Sequence, residues 1–376
     1  MSLLPAHKHA TPVFKKDQPD DNFKFQPLPK PTGSYPYHLS LEKIRSSVSD
    51  KKLVFQMVGD TGSIRSPDFQ QLVAGQMKKQ YDEEIAQPDK PAFLFHLGDV
   101  VYNFGEAEKY SRQFFEPYDD YPGLIFAIPG NHDSDVNPDN PVPYKSLDAF
   151  TRVFCSTESL PVPFSGKTDR KSMIQPNVYW TLETPLANII GLHGNVTKYG
   201  SIKEEQQKWF FEELKNAQKQ RPEKAIIVCI HHAPYSADIN HGSSQPMIEL
   251  FDRAYKETGI HPDIVFSGHV HTYQRFSKKY DDGKFVPFVV AGAGGYDELH
   301  AVAALSDDRF TAESPLFDNV KLENYCDNKH GFLKITLEKT SSGVELRGEY
   351  YTIPHENITE TYFPAALADK FNVTIN

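Results

Sequence analysis

Five short apolar runs constrain this chain more than any other feature, because each stops at the same kind of side chain. Leu53–Val58 runs into Gly59-Asp60, and Ala92–Phe95 into His96-Leu97-Gly98-Asp99. Leu124–Ile128 runs into Pro129-Gly130-Asn131-His132-Asp133. Ala225–Ile230 runs into His231-His232, and Asp263–Phe266 into Ser267-Gly268-His269. Apolar runs of about 4–7 residues bounded by turn residues read as strands. Helical patterns stand between them, at 67–86 and 203–219. In the second, Trp209, Phe210 and Leu214 share one face while Glu and Lys lie elsewhere. Strands alternating with helices predict an α/β fold. In such folds the carboxyl ends of the strands face the ligand crevice. The runs therefore deliver Asp60, Asp99, Asn131, His231 and His269-Val270-His271 to one side.

Each fragment alone is weak. A lone Gly-Asp after a strand is more often a turn residue than a ligand. His-x-His in an extended segment puts both rings on one face, which is only suggestive. Five such coincidences in order are hard to assign to turns and caps of a plain core. Carboxylate and amide oxygens with neutral imidazoles suit hard divalent and trivalent first-row metals. A carboxylate can bridge two metals, and Asp99 is the natural bridge. Two cations ~3.5–4 Å apart clamp a phosphoryl group and acidify a bound water, which is the chemistry of phosphoester hydrolysis.

Composition narrows the remaining choices. With 39% hydrophobic and 24% charged residues the chain is globular, neither disordered nor fibrous. Its net charge is 40 − 50 = −10, a poor match to a nucleic-acid backbone. No apolar run approaches the ~20 residues of a membrane span. Three cysteines against 15 histidines, with no CxxC, argue against a thiolate metal site or a dense disulfide framework; one bridge, such as Cys155–Cys326, stays open. The first residues hold no apolar stretch of the usual secretory length, and a signal removed beforehand would leave no trace, so the compartment stays open. The sequons at Asn195, Asn357 and Asn372 are near chance frequency and do not establish secretion.

The ends differ from the middle. Residues 1–50 hold seven prolines and little periodicity, predicting an extended arm, loose or draped over the core, with 1–25 equally readable as a plain tail. At the other end, Gly331–Glu338 and Val344–Tyr350 alternate with period two and predict a closing hairpin on a sheet edge.

The residues carry a resemblance. Gly59-Asp60, Gly98-Asp99, Gly130-Asn131-His132-Asp133, His231 and Gly268-His269-Val270-His271 resemble the calcineurin-like metallophosphoesterase superfamily. Many members have Asp-x-His at the first motif, where the histidine is a ligand. Here the motif is Asp60-Thr61-Gly62, and Gly98-Asp99-Val100-Val101-Tyr102 brings a tyrosine instead. With Val228–His231 and the stretch Gly268–Arg275, this pattern is similar to the purple acid phosphatases. A phenolate is a hard anionic donor that stabilises Fe(III) better than imidazole does.

The resemblance implies a four-layer αββα sandwich of two mixed β-sheets flanked by helices. Residues 51–376 would be one catalytic domain, since 50 residues leave no room for the separate N-terminal β-domain of plant members. It implies that Asp60, Tyr102 and His271 hold Fe(III), that Asn131, His231 and His269 hold a divalent ion (Fe, Zn or Mn), and that Asp99 bridges them. His132 would touch phosphate or help protonate the leaving oxygen, with His241 a second candidate at a spacing one residue off the family's. His232 reads as structural, as do His96, His193, His261 and His300. Asp133 either orients His132 or caps the following loop. The implied reaction is hydrolysis of a small phosphomonoester by an Fe(III)-bound or bridging hydroxide, with an acidic to near-neutral optimum, no nucleic-acid partner and no membrane. A phosphodiesterase of the same superfamily is the competing reading. A catalytically idle binding protein is a third, disfavoured by retention of all seven candidate ligands. Loops 134–178 and 292–325 would shape the substrate.

Overall fold

The computed structural model describes residues 7–45, 47–84, 86–354 and 364–376. In chain order its strands are β1 (Phe14–Lys15), β2 (His38–Ser40), β3 (Lys52–Val58), β4 (Phe93–His96), β5 (Leu124–Ala127), β6 (Trp180–Glu183), β7 (Ala187–Leu192) and β8 (Ala225–Ile230). There follow β9 (Ile264–Ser267), β10 (Tyr273–Lys279), β11 (Phe285–Ala291), β12 (Phe310–Thr311), β13 (Val320–Cys326), β14 (Gly331–Lys339), β15 (Val344–Thr352) and β16 (Ala366–Ile375). The helices are α1 (Leu41–Ile44), α2 (Asp68–Glu83), α3 (Asn131–Ser134), α4 (Asp148–Phe154), α5 (Glu204–Gln218) and α6 (Gln245–Thr258).

Two sheets face each other. One is six-stranded, in the order β16-β15-β14-β3-β4-β5; the other is eight-stranded, in the order β13-β10-β11-β9-β8-β7-β6-β2. Period-two alternation decides what fills the space between them. From β4, Phe93 and Phe95 point into the inter-sheet core, while Leu94 joins the cluster on the other face. From β8, Ile227 and Cys229 point inward and Ile226, Val228 and Ile230 outward. Each such fully buried side chain contributes ~1.5–3 kcal/mol. Helix α2 covers the six-stranded sheet through Val73, Ala74 and Met77, and the Met77 carbonyl accepts the Gln56 amide of β3 at 3.1 Å. Helices α5 and α6 cover the other sheet, with Trp209, Phe210 and Leu214 buried and Phe210 edge-on to Phe251. The result is helix, sheet, sheet, helix, the four layers expected.

The apolar runs form β3, β4, β5, β8 and β9, and the hairpin at the end of the chain is β14–β15, paired antiparallel from Gly331↔Thr352 to Lys339↔Val344. The strands β3, β4 and β5 are mutually parallel, as are β7, β8, β9 and β11. Their carboxyl ends therefore open on one edge of the sandwich. There the sheets are laced together: the Gly59 amide donates to the Ala291 carbonyl at 2.9 Å.

The described part of the proline-rich arm is draped over the core. Its β2 is the edge strand beside β6, β1 pairs with β12, and Val13 and Leu41 are fully buried. All three cysteines are free, so the Cys155–Cys326 bridge does not form. Of the sequons, Asn195 is buried with its amide on the Gln26 backbone, Asn372 is exposed on β16, and Asn357 lies outside the described residues. No described helix is long and apolar enough to cross a membrane.

Candidate metal centre

The strand ends turn sharply, and that turn aims the side chains. Asp60, Asp99 and His269 hold left-handed backbone conformations, with φ of 57°, 53° and 68°. Such non-glycine conformations cost ~1–3 kcal/mol each and persist only where the surroundings enforce them. Here they do. The Asp60 amide donates to Gly98 O at 2.9 Å, and the His269 amide donates to Asp60 Oδ2 at 2.8 Å. Gly98 is at φ 98°, and a Cβ there would stand 2.6 Å from the Gly130 nitrogen and 2.7 Å from His231 Nδ1. Only glycine lets the three loops close to this distance.

The seven predicted ligand residues gather in two touching groups. In the first, Asn131 Oδ1 lies 2.9 Å from His269 Nδ1 and 3.2 Å from His231 Nε2. His231 Nε2 is 3.2 Å from Asp99 Oδ2, and the donor atoms of Asp99, His231 and His269 all lie within 4.8 Å of one another. In the second, Tyr102 Oη lies 3.2 Å from Asp60 Oδ1 and 3.1 Å from His271 Nε2. Asp99 stands against both groups, meeting His231 on one side and the Tyr102 phenol on the other. The ring of Tyr102 also occupies the space beside position 62: a Cβ on Gly62 would lie 3.1 Å from Tyr102 Cδ2 and 2.6 Å from Val100 O.

The electrostatics call for positive charge. Burial, reinforced by the Asp99 carboxylate, raises the Asp60 carboxyl well above its ordinary range. Burial and the same carboxylates hold the Tyr102 phenol protonated. For Asp99 burial works the same way, but His231 and His132 outweigh it and keep the group ionised. Burial would lower His231, yet Asp99 and Asp60 push it up to about 9. Without a cation, the buried group is balanced by protons held on Asp60, Tyr102 and His231. The donor set fits a metal in another respect. His231 gives Nδ1–H to Leu97 O at 2.8 Å and His271 gives Nδ1–H to Glu298 O at 3.0 Å, which directs each Nε2 toward the other ligand residues, where a metal would take the place of a proton. His269 Nε2 is buried with no partner.

Around this group the other expectations sort themselves. The His132 ring lies 4.4 Å from that of Tyr102, with Nδ1 2.9 Å from Asn103 O. The His241 ring is 4.2 Å from that of His269, and its Nδ1 is buried without a partner. Asp133 does not touch the His132 ring. It accepts from the amides of Val100, Val101 and Gly130, tying two ligand loops together, so capping is its role. His232 points away to Thr197 O at 2.8 Å, as a structural histidine would, although its ring lies 4.6 Å from that of His269. His96 meets Thr61 Oγ1 at 2.9 Å, His193 is buried with its amide on Gln206, and His261 is sandwiched between Tyr255 and Tyr280.

Two residues at the centre escaped the sequence reading. His300, taken as structural, stacks on His271 at 4.3 Å and sets Nδ1 3.2 Å from Asp238 Oδ2. Tyr296 lies 4.4 Å from the Tyr102 ring and 4.3 Å from that of His271. The signal was a sixth apolar run, Phe285–Ala291, ending in Gly292-Ala293-Gly294-Gly295. It is β11, parallel to β9, so its carboxyl end opens on the same edge.

Comparison with known proteins places this geometry. The family model for calcineurin-like phosphoesterases matches residues 55–273, the span that carries all seven residues. Among curated proteins, probable purple acid phosphatase 20 of Arabidopsis thaliana is 32% identical over 116 residues, which is 28% of this chain and 24% of that protein. Purple acid phosphatase 15 of the same plant is 24% identical over 248 residues, 58% of this chain and 43% of that protein. The chain thus spans under half the length of these relatives. Among solved structures, GAP50, the anchor in the inner membrane complex of Plasmodium, superposes with a TM-score of 0.54 at 15% identity, covering 87% of this chain and 90% of that one. That likeness concerns the fold.

Proposed function

The chain belongs to the calcineurin-like phosphoesterase family, and on that premise we propose that it is a phosphatase of the purple acid type, hydrolysing small phosphomonoesters at a binuclear centre. One observation carries the choice within the family: Tyr102 Oη stands beside Asp60 and His271, and the Tyr102 ring packs against glycine at position 62, its Cδ2 3.1 Å from where a Cβ there would stand. Asp60, Tyr102 and His271 would hold Fe(III). Asn131, His231 and His269 would hold the divalent ion, and Asp99 would serve both. A cation pair so held supplies charge to neutralise a phosphoryl group and acidifies water beside it.

The protein's own groups then have distinct tasks. His132 gives Nδ1–H to Asn103 O, which leaves Nε2 as the atom that exchanges a proton with the leaving oxygen. Burial pushes His241 down to about 3 in the protein alone. Its ring, 4.2 Å from that of His269, makes it a second group able to meet phosphate or to assist the leaving oxygen. The carbonyls of Leu97 and Glu298 keep two imidazoles in the tautomer that points Nε2 inward. Residues 51–376 act as the catalytic unit in this reading, with the arm laid along it.

The test compares an aryl phosphate monoester with an aryl diester, alongside metal analysis and a visible spectrum of the purified protein. Faster monoester hydrolysis below neutral pH, with iron and a tyrosinate-to-iron band, is the expected result. A faster diester reaction with two zinc or manganese ions and no such band overturns it in favour of a phosphodiesterase.

A further inference from the structure

The arm does more than cover the core. The Val13 amide donates to Ser236 O at 2.9 Å, and Val13 O accepts the Ser243 amide at 2.7 Å. Phe14 bridges Gly242 in antiparallel fashion, and Gln18 reaches Ser243 O. The arm thus grips both flanks of the 236–243 loop. Within that loop Asp238 accepts the amides of Asn240, His241 and Gly242, which fixes the backbone at His241. The arm is anchored on its far side as well. Val13 is fully buried against Ala303 and Phe310, and the ring of Phe14 lies 4.3 Å from that of Phe317. The segment it rests on is the one that presents His300, and it is tied to the same loop by Ala303 N–H to Ala237 O at 2.7 Å.

We propose that Val13 and Phe14 are positioning residues of the centre: the arm straps the 236–243 loop so that His241 faces His269 and the substrate. The inference rests on reading His241 as a substrate-facing residue of the phosphatase. A proline-rich arm suits the task, since fixed φ angles lower the entropy lost on laying it down.

The test uses the full-length, metal-loaded protein and three variants: Val13→Asp, His241→Ala and the double variant. In Val13→Asp, hydrogen exchange within residues 236–243 accelerates by about tenfold or more while β3 and β8 keep their protection. Metal content is unchanged. Turnover of an aryl phosphate drops by roughly 10- to 100-fold, and the double variant is no slower than His241→Ala alone. Unchanged exchange in 236–243, or losses that multiply in the double variant, overturn the strap. If Val13→Asp does not fold, Phe14→Ala removes the Phe317 contact more gently and is read the same way. In a protein that hydrolyses no ester the phosphatase reading falls. The strap is then still judged by exchange and by the His241 imidazole resonance, which moves in Val13→Asp only if the arm holds that ring.

Discussion

The phenol oxygen of Tyr102 lies 3.1 Å from Nε2 of His271, whose other nitrogen is engaged by the Glu298 carbonyl. The Nε2 lone pair therefore faces a hydroxyl that burial and two carboxylates keep protonated in the absence of a cation. A trivalent ion placed there would reverse that preference and take the phenolate. Tyr102→Phe should remove the visible tyrosinate band of the iron-loaded protein while costing only ~1 kcal/mol of stability for one buried hydroxyl. Absorption and urea unfolding on the same preparations check both. A band that survives assigns the colour to another residue.

Gly62 guards the same ring. A Cβ there would meet Gln113 Oε1 at 2.5 Å and Val100 O at 2.6 Å. Gln113 in turn holds Tyr102 by both backbone groups, at 2.9 and 3.0 Å. Gly62→Ala should cost about 1–3 kcal/mol through overpacking and shift the band of the iron-loaded protein. Gly75, exposed in α2 with nothing within 4 Å, is the control. Gly75→Ala should stabilise by about 0.5–1 kcal/mol and leave the spectrum alone.

The legible part of the fold was local. Candidate ligands sit within a few residues of an apolar run, so burial of the strand and the turn after it reveal them together. His300 and Tyr296 were not legible because β11 ends in glycines, and the first side chains able to reach the centre come several residues later. Their contacts with His271 and Tyr102 arise only when β11 lies parallel to β9. The arm hid for a different reason. Its strands are two or three residues long, too short to show a period, and its prolines look like a linker until Val13 meets Ser236 and Ser243. Asp133 was readable as two things because one carboxylate can face a ring or a set of amides, and only the approach of Val100 and Gly130 decides.

Asp99 is where the two groups of side chains meet. Its Oδ1 accepts the His132 amide at 2.9 Å, which asparagine can still do, and its Oδ2 faces His231, where the charge matters. Asp99→Asn should keep the fold and lose metal. Elemental analysis should show the loss, and turnover should fall by at least about 100-fold, since even outer partners of metal sites typically cost ~10–100-fold. Full turnover with full metal content would remove Asp99 from the centre. Metal retained without turnover in the unsubstituted protein would point instead to an idle binding protein.

Away from the centre, Asp369 ties the two sheets. From β16 it accepts Arg275 Nε of β10 at 2.7 Å and Nη2 at 3.2 Å, and the Tyr273 hydroxyl at 2.7 Å. Asp369→Ala strands a mostly buried guanidinium. Because Arg275 keeps some exposure, the cost should fall below the ~3–5 kcal/mol of a fully buried pair, at about 2–3 kcal/mol. Chemical denaturation measures it, with aryl phosphate turnover at low temperature unchanged.

His38 makes the stability of the β2 edge depend on pH. Its Nε2 is 2.7 Å from the buried Glu213 carboxylate and its Nδ1 is 2.9 Å from Glu183. The hydrogen bond to Glu213 raises the imidazole above its ordinary pKa, against the opposing effect of burial. A folded-state pKa above the unfolded one means that the folded protein holds the proton more tightly. The resulting stability is fully present below about pH 6.5, where both states are protonated, and fades as pH rises through the folded value. His38→Gln removes this term but can keep a hydrogen bond to Glu213. The stability difference between the natural chain and His38→Gln should therefore be largest in mildly acidic buffer and shrink toward alkaline pH. Urea unfolding at about pH 5.5 and about pH 8.5 checks the sign. A difference that grows toward alkaline pH would mean that His38 is bound neutral.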